Sequence, residues 1–375
     1  CNSENNYMEE DKKQSILIIG GGLIGLSCAY EFARKGFKVE VLSKNRSEAA
    51  GFVAAGMLAT HAEGLENELL NFGQYSQNLI PQWIHNIQND SGIDCGLKQC
   101  GIVVPFKNIN DLENFPTFKN GQYLNRKKLN QEIEGLHEKW KHGLLFEQDG
   151  QIDNRRRLMR ALERACAIHK VKFQEGTEIK ELIYEENFFS GVRVLTATGD
   201  LNSIFCKQGI LCCGAWSNQI LRKVPINPIK GQMLSIQGPI NKLRRIIFGP
   251  NTYLVPREDG LVIVGATVEK EAGFNKGNTP EGIKKLQSGI NSLYPEAKTW
   301  PHMEHWWGFR PATSDLKPII GKSSIRNLFI ATGHYRNGVL FSAATSHLIF
   351  KLISGQNLNS TENYFLNNFT LDRFK

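Results

Sequence analysis

The stretch ILIIGGGLIGLSCAYEFARKGFKVEVLS, residues 16–43, decides the fold because it joins a buried strand, a glycine-rich turn and a helix. Ile16 to Ile19 are four consecutive apolar residues, which is typical of a strand buried on both faces. Apolar residues then recur at helical spacing until Gly36, a residue that commonly ends helices. Apolar and charged residues alternate from Phe37 to Val41 and predict a second strand. The order predicts a βαβ unit with a parallel pair of strands.

Three glycines in the first turn of this unit predict a dinucleotide site. Gly20 permits a tight turn, Gly22 lets the backbone approach a pyrophosphate, and Gly25 lets the helix pack closely on the strand. The phosphates would then lie at the positive N-terminus of the helix. The pattern alone does not say which nucleotide is bound.

The end of the second strand departs from the usual pattern. An acidic residue there commonly accepts hydrogen bonds from the ribose hydroxyls, whereas this chain has Ser43 followed by Lys44. The pair is compatible with a 2′-phosphate, and hence with NADP, or with a serine that makes a weaker ribose contact. Both alternatives stay open at this point.

Composition predicts a soluble globular protein with two domains. The chain has 375 residues, of which 41% are hydrophobic and 22% charged. No apolar run reaches the roughly 18 residues of a membrane span, and the first fourteen residues lack the apolar core of a signal peptide. We therefore expect a cytoplasmic protein, with residues 1–13 as a disordered extension.

The formal net charge of +8 raises the question of nucleic-acid binding. The positive residues are scattered, and the tight clusters at 155–157 and 242–245 lack interleaved aromatic residues. Arg155 to Arg157 are expected on a solvated helix face, so no nucleic-acid partner is expected. The eight cysteines form no CxxC pair, which indicates reduced thiols and no metal site.

Further stretches extend the nucleotide hypothesis along the chain. Residues 47–59 are nearly all small, which permits close backbone approach to a ligand or a tightly packed helix. Residues 154–170 predict an amphipathic helix, followed by a strand at 171–173. Residues 209–217 predict a strand that ends in a glycine turn. Residues 327–353 predict a strand, a polar loop and a helix that begins near Gly338 and directs its positive end at a ligand.

Seven motifs now occur in a recognisable order: GGGLIG (20–25), VAAGML (53–58), PIKGQ (228–232), TYLVPR (252–257), VGAT (264–267), GFRPATSD (308–315) and ATGHYRNGVL (331–340). Together they resemble the D-amino-acid oxidase superfamily of FAD-dependent oxidoreductases, in particular its glycine-oxidase branch, which serves thiamine biosynthesis. The resemblance spans about residues 14–355. It implies FAD and not NADP.

The resemblance implies an α/β fold, α+β overall, with a Rossmann-like FAD-binding domain and a second substrate domain built on a large mixed sheet. The FAD-binding domain would be discontinuous, from residues 14–60, 151–220 and 306–355. Residues 61–150 and 221–305 would form the substrate domain. Homotetramers are frequent in the family, so a homo-oligomer is expected.

The family motifs also imply the residues that hold FAD, namely Gly20, Gly22, Ile24, Gly25, Ser43, Lys44, Ala54, Ala55, Gly56, Met57, Ile179, Gly214, Trp216, His334, Arg336, Asn337, Gly338 and Val339. No cysteine follows Cys213, whereas covalent flavin attachment in this family uses a carboxy-terminal cysteine, so FAD should be non-covalent. The chain departs from relatives at Ser43, at Asn251 in place of a histidine, and at Ala343 in place of a proline.

The implied reaction is oxidative deamination of glycine, sarcosine or a small D-amino acid by oxygen, which gives an oxo acid, ammonia and hydrogen peroxide. Arg310 would clamp the substrate carboxylate by two parallel hydrogen bonds, assisted by the Tyr253 hydroxyl, and Arg336 would lie near flavin and substrate. Each arginine could instead be a structural ion-pair partner, and Tyr253 an ordinary sheet aromatic. His334 is expected to be structural, and Trp306 and Trp307 are expected to pack.

Two other functions remain open. A related flavin dehydrogenase would pass electrons to a quinone or protein instead of oxygen. A non-catalytic flavoprotein or nucleic-acid-associated module would leave its flavin oxidised with every amino acid.

Overall fold

The computed structural model describes residues 14–375, so the expected extension at 1–13 lies outside the described residues. The strands in chain order are β1 (Ser15–Ile19), β2 (Lys38–Leu42), β3 (Met57–Leu58), β4 (Ile102–Phe106), β5 (Gln122–Leu124), β6 (His142–Phe146), β7 (Gly150–Gln151), β8 (Lys172–Gln174), β9 (Glu178–Glu185), β10 (Phe188–Leu195), β11 (Leu201–Phe205), β12 (Gly209–Leu211), β13 (Asn227–Gln237), β14 (Ile246–Phe248), β15 (Tyr253–Pro256), β16 (Leu261–Gly265), β17 (His302–Ala312), β18 (Ile319–Lys322) and β19 (Leu328–Thr332).

The α-helices are α1 (Leu23–Arg34), α2 (Asn67–Ser91), α3 (Ile109–Glu113), α4 (Arg126–Glu132), α5 (Met159–Ile168), α6 (Ser217–Ile220), α7 (Pro280–Leu293), α8 (Gly338–Ser354) and α9 (Ser360–Asn368). A π-helical turn at Asn154–Leu158 leads into α5. The predicted helix over 154–170 is therefore present but shorter and irregular at its start, and the strand after it is displaced by one residue.

The predicted βαβ unit is confirmed. Strand β1 pairs with β2 in parallel, and α1 connects them. The sheet has six strands in the order β18-β19-β12-β1-β2-β8, all parallel except the antiparallel edge strand β18. The chain moves from β1 to β2 on one side, whereas β12 lies on the other side of β1. The N-terminus of α1 therefore lies at the point where the strand order reverses, which is where open α/β sheets bind ligands.

Both faces of this sheet are buried, which explains the continuous apolar run of β1. Helices α1, α2, α5 and α8 pack on one face in a single hydrophobic cluster. The antiparallel sheet β11-β10-β9 contributes to the cluster on the other face. Helix α2 falls in the range 61–150 that the resemblance assigned to the substrate domain, yet it packs against α5 and α8. That domain division stays a prediction, and these contacts favour grouping α2 with the six-stranded sheet.

The second large sheet has eight strands in the order β17-β13-β16-β15-β14-β4-β6-β5. Its neighbours are antiparallel except β14 and β4, so the sheet is mixed. Helix α7 covers one face through a cluster that includes Leu286, Ile290 and Leu293. The opposite face packs on Ala55, Ala59 and other small residues that follow β2. The small-residue stretch thus lies against the second sheet, and its helical structure is limited to the short 3-10 helices Arg46–Glu48 and Ala50–Phe52.

The arginine cluster at 155–157 differs from its expected solvated position. Arg155 lies with its guanidinium carbon 4.1 Å from the ring centre of Trp306 and pairs with Glu304 at 2.8 Å. Arg156 bridges Asp153 and Asp259 at 2.8 and 2.7 Å. The helical pattern predicted correctly that these side chains point away from the core. It could not show that β17 and the loop at Asp259 pack over Arg155 and Arg156.

Candidate active site between the two large sheets

The turn after β1 has the geometry that the glycine pattern predicts. Gly20 adopts φ +114°, and a side chain at Gly25 would collide with the Gly20 carbonyl oxygen. Gly22, by contrast, could carry a Cβ without a collision, since the nearest atom would be Ala49 Cβ at 3.4 Å, an ordinary van der Waals contact. No side chain caps α1, so the amides of its first turn lack a partner from a capping residue. The arrangement fits a pyrophosphate.

The basic residues after β2 are already engaged. Lys44 lies 3.4 Å from Glu178, and Arg46 lies 2.5 Å from Glu175 and over the ring of Phe173. Because both cations are paired with carboxylates, the alternative of a 2′-phosphate gains no support here. Ser43 is buried beside Gly21.

The small-residue segment presents two buried amides that need a partner. Ala55 and Gly56 are buried, and their backbone N–H groups have no hydrogen-bond acceptor among residues 14–375. Buried amides in native proteins are nearly always paired, so these two N–H groups are available to an acceptor from outside the chain. A flat heteroaromatic ligand with carbonyl and ring-nitrogen acceptors can supply that acceptor. The residues present therefore fit FAD.

A second uncapped helix start lies at α8. Asn337 precedes Gly338 but donates its side-chain amide to Glu63 at 2.7 Å instead of capping the helix. Gly338 is not crowded, since an added Cβ would meet only His334 Cβ, at 3.8 Å. His334 is buried against Thr345, with Nε2 and Oγ1 3.0 Å apart, and burial lowers its pKa to about 3. A neutral histidine in this position supports the loop and carries no charge near neutral pH.

Tyr253 and Arg310 converge although three strand spacings separate β15 from β17. Tyr253 lies over Gly265 on β16, where a side chain would collide with its ring. Arg310 lies over Gly231 on β13, and a Cβ there would be 2.5 Å from Nη2. The two glycines thus let both long side chains lie flat across the sheet and approach each other. The Tyr253 hydroxyl also lies 3.7 Å from Met233 Sδ.

The guanidinium of Arg310 retains donors for a ligand. It donates to the carbonyls of Lys230 and Thr267 at 3.4 and 3.1 Å, and no carboxylate lies within 4.0 Å among residues 14–375. Burial raises the pKa of the Tyr253 hydroxyl, so the phenol stays protonated and can donate. A half-buried cation without a counter-ion, next to a phenol, is a site for a carboxylate.

Glu63 is a candidate that the sequence did not reveal. It lies close enough to Arg336, Arg310 and Tyr253 to influence them electrostatically, and burial raises its own pKa. Arg336 is exposed, and its side chain contacts the ring of Tyr335. No spacing or motif could have singled out Glu63, because its neighbours come from three separate parts of the chain.

The remaining predicted cofactor residues occupy different surroundings. Gly214 adopts φ +52°, and the Trp216 ring stacks on Phe274 at 5.4 Å. Ile179 packs its side chain into the cluster on the β9–β11 side of the sheet, so only its backbone could contact a nucleotide.

Two positions that depart from relatives lie in different surroundings: Asn251 is exposed, and Ala343 is buried within α8. Trp306 packs as expected and donates Nε1 to the Val53 carbonyl at 2.9 Å.

Three features of the described chain bear on other functions. Residues 14–375 contain no helix that is both long and apolar enough to cross a membrane. The same residues contain no group of three or more potential metal ligands. The seven cysteines from Cys28 to Cys213 are free thiols.

Comparison with known proteins agrees with this geometry. The chain is 36% identical over 362 residues to the bifunctional protein ThiO/ThiG of Trichormus variabilis, which covers 94% of this chain and 54% of the relative. It therefore spans about half the length of that relative. It is 27% identical to the glycine oxidase of Geobacillus kaustophilus, over 91% of this chain and 93% of that protein. The crystal structure of glycine oxidase from Geobacillus kaustophilus superposes with a TM-score of 0.86 at 25% identity, covering 96% of this chain and 99% of that one.

A family model described as "DAO: FAD dependent oxidoreductase" matches residues 15–352, which include both large sheets and every residue of the candidate site. The α/β fold and the resemblance inferred from the seven motifs are confirmed. With the glycine turn, the unpaired amides and the Arg310–Tyr253 pair in place, this chain belongs to the DAO family of FAD-dependent oxidoreductases.

Proposed function

We propose that this chain is an amino-acid oxidase that deaminates glycine or a similarly small amine, such as sarcosine or a small D-amino acid. The observation that carries the proposal is the convergence of Arg310 and Tyr253 over Gly231 and Gly265. This pair supplies a cation and a hydroxyl donor on the sheet face that packs against the unpaired amides of Ala55 and Gly56. A small substrate carboxylate bound there would lie beside the cofactor.

In this proposal the protein side chains bind the substrate and orient it. Arg310 offers two parallel N–H donors to a carboxylate, and the protonated Tyr253 adds a third donor, so the substrate is fixed in one orientation. Bound FAD would supply a two-electron acceptor for the substrate carbon–nitrogen unit, with dioxygen as the final acceptor. For glycine the balanced reaction is glycine, oxygen and water to glyoxylate, ammonia and hydrogen peroxide. The chain needs no strong base for this reaction, provided that the amine is neutral when it reacts.

Several finer features belong to the same proposal. FAD would be held without a covalent bond, since no cysteine follows Cys213. Residues 14–60, 151–220 and 306–355 would hold the cofactor, and the remaining ranges would mainly shape the substrate pocket. The similarity to a ThiO/ThiG protein supports a role in thiamine biosynthesis, in which the oxidation product supplies the thiazole. A homo-oligomer is proposed from the family resemblance alone.

Anaerobic titration of the yellow holoprotein tests the proposal. Glycine and sarcosine should bleach the flavin absorbance, small D-amino acids should do so less well, and L-amino acids hardly at all. Readmission of oxygen should restore the colour and produce one hydrogen peroxide per flavin. Bleaching that oxygen fails to reverse, but a quinone reverses, would favour a dehydrogenase. A flavin that no amine reduces would contradict an amino-acid oxidase.

A further inference from the structure

Every carbonyl of residues 51–56 accepts a hydrogen bond from outside the segment, which we call the anchored segment. The bonds are Asn154 Nδ2 to Gly51 O and Ala54 O at 2.7 Å each, Arg155 Nε to Phe52 O at 2.9 Å, Trp306 Nε1 to Val53 O at 2.9 Å, Arg257 Nη2 to Ala55 O at 2.9 Å, and the Ile152 amide to Gly56 O at 2.9 Å. Four of the donors are side chains, so chain pairing in a sheet does not explain the pattern.

The pattern determines where two amides point. In a trans peptide the carbonyl of one residue and the N–H of the next point in opposite directions. Asn154 holds the Ala54 carbonyl, and therefore it also fixes the direction of the Ala55 N–H. Arg257 holds the Ala55 carbonyl, and therefore it fixes the direction of the Gly56 N–H. These are the two buried amides that have no acceptor among residues 14–375.

Both hydrogen bonds of the Asn154 side chain go to the anchored segment. Its side chain is fully buried, and its amide nitrogen donates to two carbonyls of the anchored segment. Its Oδ1 has no hydrogen-bond partner among the described residues and would lie 2.6 Å from a Cβ at Gly56. An unpaired buried oxygen is costly, so the two donated bonds must outweigh it. Although Asn154 lies just before α5, its side chain thus binds the anchored segment and not the helix.

Arg257 acts in the same way from the second sheet. It is 7% exposed and donates Nη1 to Gln151 Oε1 at 2.6 Å besides its bond to the Ala55 carbonyl. Its nearest carboxylate is Asp153, with Nε and Oδ1 3.8 Å apart. A buried arginine held mainly by neutral acceptors is expensive to desolvate, which points to a positioning role.

We propose that Asn154 and Arg257 are positioning residues that aim the Ala55 and Gly56 amides at acceptor atoms of the bound cofactor. The inference rests on the proposed function only in that the cofactor is FAD. Neither side chain touches the cofactor in this scheme, since each acts through a peptide group. Removing the Asn154 donor frees the Ala54 carbonyl, so the Ala55 amide loses its fixed direction.

Asn154→Asp is the sharpest test, because it keeps the size of the side chain and replaces its two N–H donors by an acceptor that repels the carbonyls. The matched control is Asn218→Asp, since Asn218 likewise donates to two carbonyls, those of Arg222 and Val224 at 2.9 and 3.0 Å, away from the anchored segment. FAD is added to each apoprotein, and the FAD dissociation constant, the visible flavin bands and the flavin reduction potential are measured. Thermal unfolding of each apoprotein shows that it is folded.

For Asn154→Asp we expect the FAD dissociation constant to rise at least about tenfold. The visible flavin bands and the flavin reduction potential should shift as well. Asn218→Asp should keep wild-type values even if it unfolds at a lower temperature. A folded Asn154→Asp apoprotein with wild-type affinity, bands and potential would overturn the inference, as would equal weakening by Asn218→Asp.

Arg257→Lys keeps the test decisive if Asn154→Asp does not fold. It retains the charge but loses the forked donor, so FAD affinity and the flavin bands should change while the apoprotein stays folded. Wild-type FAD affinity and bands in the folded variant would overturn the inference. If the wild-type apoprotein itself fails to bind FAD, the proposed function is wrong, and this inference with it.

Discussion

At the scale of single residues, the site depends on how far two side chains can lean across a sheet. Arg310 reaches its position because Gly231 has no side chain, and Tyr253 does so because of Gly265. A methyl group at either glycine would lift the side chain away from the sheet. The chemistry of the site is therefore set as much by the two glycines as by the arginine and the tyrosine.

Replacing Arg310 tests the carboxylate clamp. Charged hydrogen bonds of this kind contribute roughly 1.5–3 kcal/mol each, so Arg310→Ala should lower kcat/KM for glycine by at least about a hundredfold, with Arg310→Lys intermediate because it loses only the fork. Flavin content and the unfolding temperature should stay near wild type. If Arg310→Ala instead loses flavin or unfolds, Arg310 is structural and the clamp lies elsewhere.

Gly231→Ala tests the position of the Arg310 guanidinium and leaves its charge unchanged. The new Cβ would lie 2.5 Å from Arg310 Nη2, so the guanidinium must move although the arginine is retained. We expect KM for glycine to rise about tenfold or more, at unchanged FAD affinity, since one of two charged bonds is misaligned. Steady-state kinetics and an FAD titration measure both. An unchanged KM would show that Arg310 does not bind the carboxylate from this position.

His334 should make stability depend on pH. Its pKa falls from 6.5 to about 3 on burial, so the unfolded chain binds a proton that the folded chain does not. The resulting stabilisation is present above pH 6.5 and is lost as pH falls toward 3, by at most about 1.4 kcal/mol per pH unit. Urea unfolding of apo-His334→Gln should therefore show a shallower loss on acidification than wild type. Replacement of the exposed His305 by Gln should leave the slope unchanged.

At the scale of elements, the glycine turn before α1 serves both helix packing and ligand binding. Substitutions at single glycines can distinguish the two roles. Gly25 must lack a side chain so that α1 can pack beside the Gly20 carbonyl, which is a demand of the fold. An added Cβ at Gly22 would make only an ordinary contact with Ala49 Cβ at 3.4 Å, so the fold tolerates a side chain there and its absence matters mainly when a ligand approaches. The two positions look alike in the sequence pattern but differ in what they contact.

The two glycines should therefore give different results when changed to alanine. Gly25→Ala should lower the unfolding temperature of the apoprotein and abolish FAD binding, because the helix must move away from β1. Gly22→Ala should leave the apoprotein near wild type in stability, since its φ of −79° suits alanine, and should still weaken FAD binding. Differential scanning calorimetry and FAD titration test both. A Gly22→Ala apoprotein as unstable as Gly25→Ala would contradict the assignment.

Sequence patterns predicted those elements whose neighbours are local. The apolar run of β1, the spacing in α1 and the helix start near Gly338 depend on short-range rules, so all three are found close to the predicted residues. The role of Asn154 was not predictable, because its partners are about a hundred positions away in the chain. Glu63 was missed for the same reason. Arg155 and Arg156 are more covered than expected, because a helical pattern shows which side faces outward, not what packs over it, whereas Arg157 keeps 40% of its side chain exposed.

At the scale of the whole molecule, the cofactor would occupy the region where the two large sheets face each other. The anchored segment lies there, held by Asn154 on one side and by Trp306 and Arg257 from the second sheet on the other. Because a bound acceptor would pair its two free amides, we expect the holoprotein to be more stable than the apoprotein. Binding at this boundary should therefore stabilise both sheets together.

The last prediction concerns FAD as a reversible link between the sheets. Because attachment is expected to be non-covalent, acid precipitation should release all the yellow colour into the supernatant, and colour retained in the pellet would contradict this. Apoprotein reconstituted with FAD at a hundred times its dissociation constant should then gain about 2.7 kcal/mol of unfolding free energy. The gain should appear as one transition at a higher temperature when fluorescence and far-ultraviolet circular dichroism are followed together. If only part of the signal shifts while the rest unfolds as in the apoprotein, the cofactor contacts one sheet alone, and the placement of Ala55 and Gly56 against it is wrong.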